Sequence, residues 1–185
     1  MSLQRIARRY AKALLTTALQ QNAADRVEQD LAEIVRAADA SSDLRVLFRS
    51  PVIEASRKKD IMKEIFGSTL SSLTIDFVSL LMDKGREADI HGVAAEYQDQ
   101  YDKHRGILRV TITSAVALDD AMRADVVGVI GKRTGKTIVA SYDVDPKLLA
   151  GVTVHIGDTV MDSSLKHQLR LLRQRLADGV APSMN

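Results

Sequence analysis

The spacing of apolar residues changes at Gly106, and this change constrains the fold more than any other feature of the sequence. Up to about residue 105, apolar residues recur at steps of three and four, which is the spacing of an amphipathic helix. The segment that follows, GILRVTITSAV, alternates instead: Leu108, Val110 and Ile112 face one way, as in a half-buried strand. The chain is therefore predicted to be an α+β protein with two domains.

Six helices with short connections are predicted for residues 1–105, which together make an N-terminal six-helix bundle. Asn22 is expected to cap the second helix. The side chains expected to face the core from the fourth and fifth helices are Ile61, Ile65, Phe66, Leu73, Phe77, Leu80 and Leu81. On the fourth helix, Arg57, Lys58 and Lys59 are expected to face solvent.

Residues 106–178 are predicted to form a small C-terminal α+β domain with three strands and two helices. The strands are expected in GILRVTITSAV, TIVASYDV and GVTVHIG. The helix between the first two is expected to bury Leu118, Met122, Val126, Val129 and Ile130. Asp162 or Ser163 is expected to cap the last helix, whose apolar stripe contains Leu165, Leu169, Leu172 and Leu176. Residues 179–185 are expected to be a disordered tail.

Composition excludes several classes of function. The chain has no cysteine, which excludes disulfides, thiolate zinc sites and a cysteine nucleophile. No two of the four histidines have the spacing of a helical metal pair, so no metal site and no cofactor are expected. The longest uncharged run, residues 13–24, is shorter than the roughly 18 apolar residues of a spanning helix. The formal net charge of +2 is too small to attract the whole chain to nucleic acid.

Gly135-Lys136-Thr137 resembles the end of a phosphate-binding P-loop. The P-loop pattern needs a glycine where this chain has Ile130, and Gly131 comes one residue late. In a P-loop the helix also follows the glycines, so that its positive end faces the phosphates, whereas here a helix is expected before them. A glycine-rich end of a helix is therefore favoured over a nucleotide site.

Cations cluster on the last predicted helix, at Lys166, His167, Arg170, Arg173 and Arg175, with no acidic residue nearby. Three interpretations stay open: a solvated face, a surface for an acidic protein partner, and a nucleic-acid surface. The absence of interleaved aromatic residues weighs against the third. The carboxylates of the chain are scattered at turns and helix starts, so no enzyme is indicated and no catalytic residue is assigned.

The first predicted helix carries small residues on its apolar stripe, at Ala7, Ala11 and Ala18, together with Tyr10 and Leu14. Small side chains allow another helix to approach closely, and a helix lying in an apolar groove is a common mode of recognition. Close packing within the bundle is the equally weighted alternative.

The same helix carries Arg5, Arg8, Arg9 and Lys12, and no acidic residue precedes Asp25. An arginine-rich amphipathic N-terminus is typical of a mitochondrial transit peptide. The continuous apolar face and the helix cap that follows favour instead the first helix of the mature protein.

Four segments in order resemble the delta subunit family of F-type ATP synthase, which in mitochondria is the oligomycin sensitivity conferral protein. They are ARRYAKALL at 7–15, SPVIEASRKKDIMKEIF at 50–66, Gly85-Arg86-Glu87, and VDPKLLAGVTVHIGDTVMDSSLKHQLRLL at 144–172. The resemblance covers about residues 5 to 177. The chain departs from the family at Ala150, where a second glycine is usual, and at Ser163, where a small residue, often glycine, is usual.

The resemblance implies a non-catalytic stator subunit of the peripheral stalk, which holds the catalytic head so that proton-driven rotation yields ATP synthesis. The N-terminal bundle would cap the head, made of alpha and beta subunits, and hold N-terminal helices of the alpha subunits in a groove lined by its first and fifth helices. The residues at the matching positions are Ala7, Tyr10, Ala11, Leu14, Leu73, Phe77 and Leu80.

The C-terminal domain would engage the b subunits of the peripheral stalk, and the basic face at Lys166, Arg170 and Arg173 is the region expected to do so. One copy per complex is expected, with no nucleic acid and no insertion into the membrane. The absence of a recognisable presequence favours a peripheral location on the cytoplasmic face of a bacterial plasma membrane. The alternative from the residues alone is an adaptor that binds nucleotide or nucleic acid through Gly135-Lys136-Thr137 or the last helix.

Overall fold

A computed structural model describes residues 3–157 and 159–179 of the chain. The chain divides between His104 and Arg105 into two compact units, here called unit 1 and unit 2. Unit 1 is helical and unit 2 combines helices with a four-stranded sheet, which confirms the α+β class. Within the described residues, no helix is both long enough and apolar enough to span a membrane.

The helices of unit 1 share one core. They are α1 (Leu3–Gln20), α2 (Ala24–Ala40), α3 (Ser42–Arg49), α4 (Ala55–Phe66), α5 (Ser72–Asp83) and α6 (Ile90–Arg105), with a 3-10 turn at Glu87–Asp89. Each of these six α-helices contributes buried side chains to a single hydrophobic cluster. At its centre, the fully buried Tyr97 of α6 donates a hydrogen bond from its hydroxyl to the carbonyl oxygen of Ala24, 3.0 Å away, at the start of α2.

Unit 2 is a mixed sheet with one helix crossing between its parallel strands. Its elements are β1 (Ile107–Ser114), α7 (Asp120–Thr134), β2 (Thr137–Val144), a 3-10 turn (Pro146–Leu148), β3 (Val152–Ile156), β4 (Thr159–Asp162) and α8 (Leu165–Gly179). The strand order is β2-β1-β3-β4, with β1 parallel to β2 and antiparallel to β3, and β3 antiparallel to β4. The sequence pattern missed β4 because all four of its residues are exposed and so give no alternation.

In unit 1, the burial of three side chains differs from what the sequence pattern predicts. Lys58 is buried and not solvent-facing: its Nζ lies 2.5 Å from Oε1 of Glu87 and 2.6 Å from the carbonyl oxygen of Ser50. The core-facing side of α4 runs through Lys58, Met62 and Phe66, so Ile65 points outward and is 51% exposed. The expected burial of Ile65 and of Leu80, which is 45% exposed on α5, is therefore wrong.

The core of unit 2 lies between α7 and one face of the sheet. Val110, Ile112, Ile130 and Val154 are its buried members, and Val126 and Val127 of α7 pack against them. The predicted burial of Met122 and Val129 is wrong, since these side chains are 52% and 66% exposed. The face of α7 that contacts the sheet contains Val126, Val127 and Ile130, so it is rotated around the helix axis relative to the predicted face.

Two helix caps lie one or two residues away from their predicted positions. Ala23 is the cap position of α2 and makes no side-chain capping bond, while Asn22 adopts a left-handed conformation with φ of +52°. At the start of α8, the hydroxyl oxygen of Ser164 accepts a hydrogen bond from the backbone N–H of His167 at 3.2 Å. Ser164 therefore caps α8, and the expectation of Asp162 or Ser163 is wrong by one or two residues.

Candidate interaction surfaces

The last helix carries leucines that remain exposed in unit 2. Leu165, Leu169, Leu171 and Leu172 are between 38% and 54% exposed. The cations expected to contact a partner, Lys166, Arg170 and Arg173, are also exposed on this helix. These seven residues are called the α8 surface below. Leu176, the last member of the predicted stripe, lies outside the side chains that the structure describes.

A cleft of about 600 Å³ lies beside the α8 surface. Its lining combines Leu148 and Leu149, at the end of the 3-10 turn, with Lys166, Leu169, Arg170 and Arg173 of α8. Leu149 has a φ of +66°, which is unusual for a residue with a branched side chain, and it is 66% exposed. The backbone thus holds a large apolar side chain in solvent next to three cations.

Close backbone contact fixes the position at which α8 leaves the sheet. Gly151 has a φ of +85°, and a Cβ atom there would lie 2.7 Å from the carbonyl oxygen of Ser163. Only glycine fits this approach without displacing the backbone. The departures from the family pattern at Ala150 and Ser163 leave the turn intact, because the backbone N–H of Leu165 still donates to the carbonyl oxygen of Ala150 at 2.9 Å.

The start of α8 is also organised by Asp162. Hydrogen bonds from the hydroxyl and from the backbone N–H of Ser164 hold the pKa of the Asp162 carboxyl below its usual value, and His167 adds electrostatic attraction. The backbone bond measures 2.9 Å to Oδ1. The Asp162 carboxylate is therefore held ionised at the start of α8, where it lines the same cleft as Lys166, Arg170 and Arg173.

On α1, the expected groove residues lie mostly in the core of unit 1. Ala7, Ala11 and Leu14 are at most 4% exposed, and Tyr10 is partly buried against the same cluster. Ala7 also lines a cleft of about 530 Å³ between α1 and α6. The two helices approach closely there, because a Cβ atom added to Gly92 would lie only 3.5 Å from the Cβ of Ala7.

On α5, the expected groove residues differ in accessibility. Phe77 is 7% exposed and belongs to the core, Leu73 is partly buried, and Leu80 is the most exposed of the three. Among the seven residues expected to line a groove, Leu80 is thus the apolar side chain most available to a partner. The assignment of all seven to partner contact stays a prediction.

A second apolar groove, between α3 and α4, was not foreseen from the sequence. It encloses about 430 Å³, and its apolar lining consists of Leu44, Val46, Leu47, Ile53, Ile61 and Ile65. Val46 and Ile65 are 61% and 51% exposed. The helical spacing placed Ile65 in the core, so the sequence pattern gave no sign of this groove.

Gly135-Lys136-Thr137 ends a helix and does not begin one. Gly135 follows α7 with a φ of +67°, and its N–H donates to the carbonyl oxygen of Gly131 at 2.8 Å. Thr137 then opens β2, and its N–H bonds to the carbonyl oxygen of Gly106 at 3.0 Å. The preference for a helix end is confirmed, since the nearby helix terminus is the negative one and repels phosphate.

The comparisons with known proteins cover nearly the whole chain. Residues 6–176 match the family model described as ATP synthase delta (OSCP) subunit. The chain belongs to this family. The ATP synthase subunit delta of Chlorobaculum parvum is 39% identical over 176 residues, covering 95% of this chain and 97% of that protein. The subunit delta of Desulforamulus reducens is 34% identical, covering 92% and 94% respectively.

A solved structure supports the fold of this member of the delta (OSCP) family. One chain of the cryo-EM structure of the Toxoplasma gondii mitochondrial ATP synthase hexamer matches with a TM-score of 0.73 and 21% identity. The match covers 98% of this chain and 99% of that chain. The protein is therefore a peripheral stalk subunit of F-type ATP synthase, with a structural and not a catalytic part in it, as the resemblance implied.

Proposed function

We propose that this delta-family subunit joins the catalytic head to the b subunits of the peripheral stalk, with unit 1 at the head and unit 2 at the stalk. The observation that carries the proposal is the α8 surface. Leucine side chains left in water are energetically unfavourable, so a patch of them marks an interaction surface. Together with three neighbouring cations, they suit a helical partner that has an apolar face. Such a connector resists rotation of the head by tight contacts at both ends and needs no reacting group.

At the head, we place the N-terminal helices of the alpha subunits against α1 and α5. Leu80, with the partly buried Tyr10 and Leu73, would meet the bound helix first. Ala7, Ala11, Leu14 and Phe77 are buried in the core of unit 1 and would support these side chains from beneath. The support for this assignment is the exposure of Leu80, an apolar side chain on α5.

At the membrane, the complex is placed on the cytoplasmic face of a bacterial plasma membrane, with one copy of this chain per complex. The bacterial relatives, at 34% and 39% identity over most of the chain, support this placement. Contact with beta subunits beside the alpha subunits forms part of the same proposal for the head.

Purification of the tagged protein from native membranes tests the two ends separately. Leu80→Asp is expected to lose the alpha and beta subunits and keep the b subunits, whereas Leu169→Asp is expected to do the reverse. A charge placed in a desolvated apolar contact weakens binding strongly, and both positions are exposed enough to tolerate it in the free protein.

Two variants with the same chemical change serve as controls. Val52→Asp in unit 1 and Val129→Asp in unit 2 change side chains that are 88% and 66% exposed and lie outside the clefts described above. Both are expected to co-purify with all subunits. Retention of the b subunits by Leu169→Asp, or loss of the b subunits in the Leu80→Asp variant, would reject the assignment of the two ends.

A further inference from the structure

Four cations of α1 form one stripe along the solvent side of the helix. Arg5, Arg8, Arg9 and Lys12 have the spacing i, i+3, i+4 and i+7, which places them on one helical face. All four side chains are exposed, while the apolar face of α1 is buried in the core of unit 1. These four residues are called the α1 stripe.

The α1 stripe is electrostatically unfavourable for the free helix. Arg5 repels Arg8 and Arg9, and Lys12 repels the same two residues, because like charges three and four residues apart on a helix destabilise it. The helix dipole adds to this repulsion at Arg5, which lies in the first turn at the positive end of α1. No acidic residue is present in the first turn to offset it. A solvated position alone leaves this repulsion in place, whereas carboxylates of a partner would remove it.

Within the described residues, no carboxylate forms an ion pair with the α1 stripe. Three acidic residues, Asp89 of the 3-10 turn and Glu96 and Asp99 of α6, line the cleft shared with Gln4 and Ala7. Asp99 is bound instead by Lys103 of its own helix, at 2.5 Å. The guanidinium carbon of Arg9 lies 5.6 Å from the centre of the Tyr10 ring, and this cation–π contact does not neutralise the positive charge of Arg9. The charge of the stripe is therefore available to a partner.

The surroundings of the stripe favour one class of partner. A helix that lies on a membrane surface inserts its apolar face, and the apolar face of α1 is already buried. An acidic helix can instead present carboxylates over two turns, at the same i, i+3, i+4 and i+7 spacing as the cations of the stripe. We propose that the α1 stripe binds an acidic α-helical segment of a partner protein through ion pairs to Arg5, Arg8, Arg9 and Lys12.

The test measures binding of the full chain to a synthetic helical peptide that carries four glutamates at i, i+3, i+4 and i+7. We expect calorimetry to show binding that weakens as salt is raised and that is lost in the glutamine version of the peptide. The variant R5Q/R8Q/R9Q/K12Q is expected to bind about tenfold more weakly or worse. Its Tm is expected to rise, because the like-charge repulsion is removed while glutamine keeps a similar helix propensity.

Matched variants separate this site from general charge attraction. K132Q/R133Q/K136Q removes exposed cations from unit 2 and is expected to keep the affinity within about twofold. R5K/R8K/R9K keeps the charge and is expected to keep most of the affinity. Unchanged affinity in the stripe variant, or an equal loss in the unit 2 variant, overturns the proposal.

Stripe-dependent binding of phosphatidylserine vesicles or of duplex DNA that is tighter than binding of the glutamate peptide also overturns it. The peptide assay is independent of co-purification with ATP synthase subunits. The proposal for the α1 stripe and the proposed function of the two units therefore fail or hold separately.

Discussion

Asp30 connects two helices of unit 1 through a carboxylate that is only 1% exposed. Its Oδ2 accepts hydrogen bonds from the backbone N–H of Ser71 at 2.9 Å, from the hydroxyl of Ser71 at 2.6 Å and from the hydroxyl of Thr74 at 2.8 Å. Arg26 reaches Oδ1 at 2.9 Å. The carboxylate of α2 thus lies at the start of α5, where the helix dipole favours negative charge.

Asp30→Ala is expected to lower the free energy of unfolding by about 3 kcal/mol, because it leaves buried donors of Ser71 and Thr74 without an acceptor. Urea denaturation followed by circular dichroism measures the change. The exposed Asp60→Ala serves as the control, with an expected effect within about 0.5 kcal/mol. A similarly small effect for Asp30→Ala would mean that the cost of burying the carboxylate cancels its bonds.

Asp162 makes the start of α8 sensitive to acid. Hydrogen bonds from Ser164 lower the pKa of this carboxyl from its ordinary value of 3.8, so the folded state favours the ionised form. The resulting stability is present above pH 3.8 and is lost as the pH falls through the lower pKa of the folded state. The backbone amide of Ser164 is expected to shift in NMR spectra over this acidic range. In Asp162→Asn that titration should disappear, and its persistence would assign it to another group.

At the scale of elements, Gly128 within α7 and Gly135 directly after it have opposite conformational requirements. Gly135 ends the helix with a φ of +67°, whereas Gly128 lies within it, and a Cβ atom at either position would meet nothing within 4 Å. Gly135→Ala is therefore expected to destabilise by about 1 kcal/mol through backbone strain alone. Gly128→Ala is expected to stabilise by about 1 kcal/mol through helix propensity. Thermal denaturation of the two variants compares them, and a change of the same sign in both would contradict this account of the turn.

The sequence predicts those helices and strands that have one apolar, buried face. The helices of residues 3–105 and the strands β1 to β3 follow from apolar spacing, because each buries or half-buries one face. The strand β4 does not, since all four of its residues are exposed. Faces of helices are predicted less well than their positions. Lys58 and Glu87 bury a charged pair that no hydrophobic pattern contains, whereas the apolar Ile65 of the same helix is 51% exposed.

The interaction surfaces were predictable only in part. The cations Lys166, Arg170 and Arg173 could be assigned to one helical face from their spacing in the sequence. The exposure of the α8 leucines could not, because the same stripe suits a core face equally well. The groove between α3 and α4 depends on tertiary packing of two helices, which lies beyond any single helical pattern.

At the scale of the whole molecule, the two units differ in how much core holds them together. Unit 1 has buried side chains from six α-helices in one cluster, whereas among the side chains that the structure describes in unit 2 the buried cluster consists of Val110, Ile112, Ile130 and Val154. Small domains bury a smaller fraction of their surface and are correspondingly less stable. Unit 2 is therefore expected to unfold at a lower denaturant concentration than unit 1.

Ile112→Ala tests whether the two units unfold separately in the full chain. Ile112 is fully buried, and its truncation is expected to cost about 3 kcal/mol, a large part of the stability of a small domain. NMR spectra are expected to lose the dispersed signals of unit 2 and keep those of unit 1, such as Tyr97. Ile112→Val, with an expected cost of about 1 kcal/mol, should keep both sets. If each unit carries its own partner, Ile112→Ala should then retain the alpha and beta subunits and lose the b subunits. Joint loss of both sets of signals would instead show that the units fold as one.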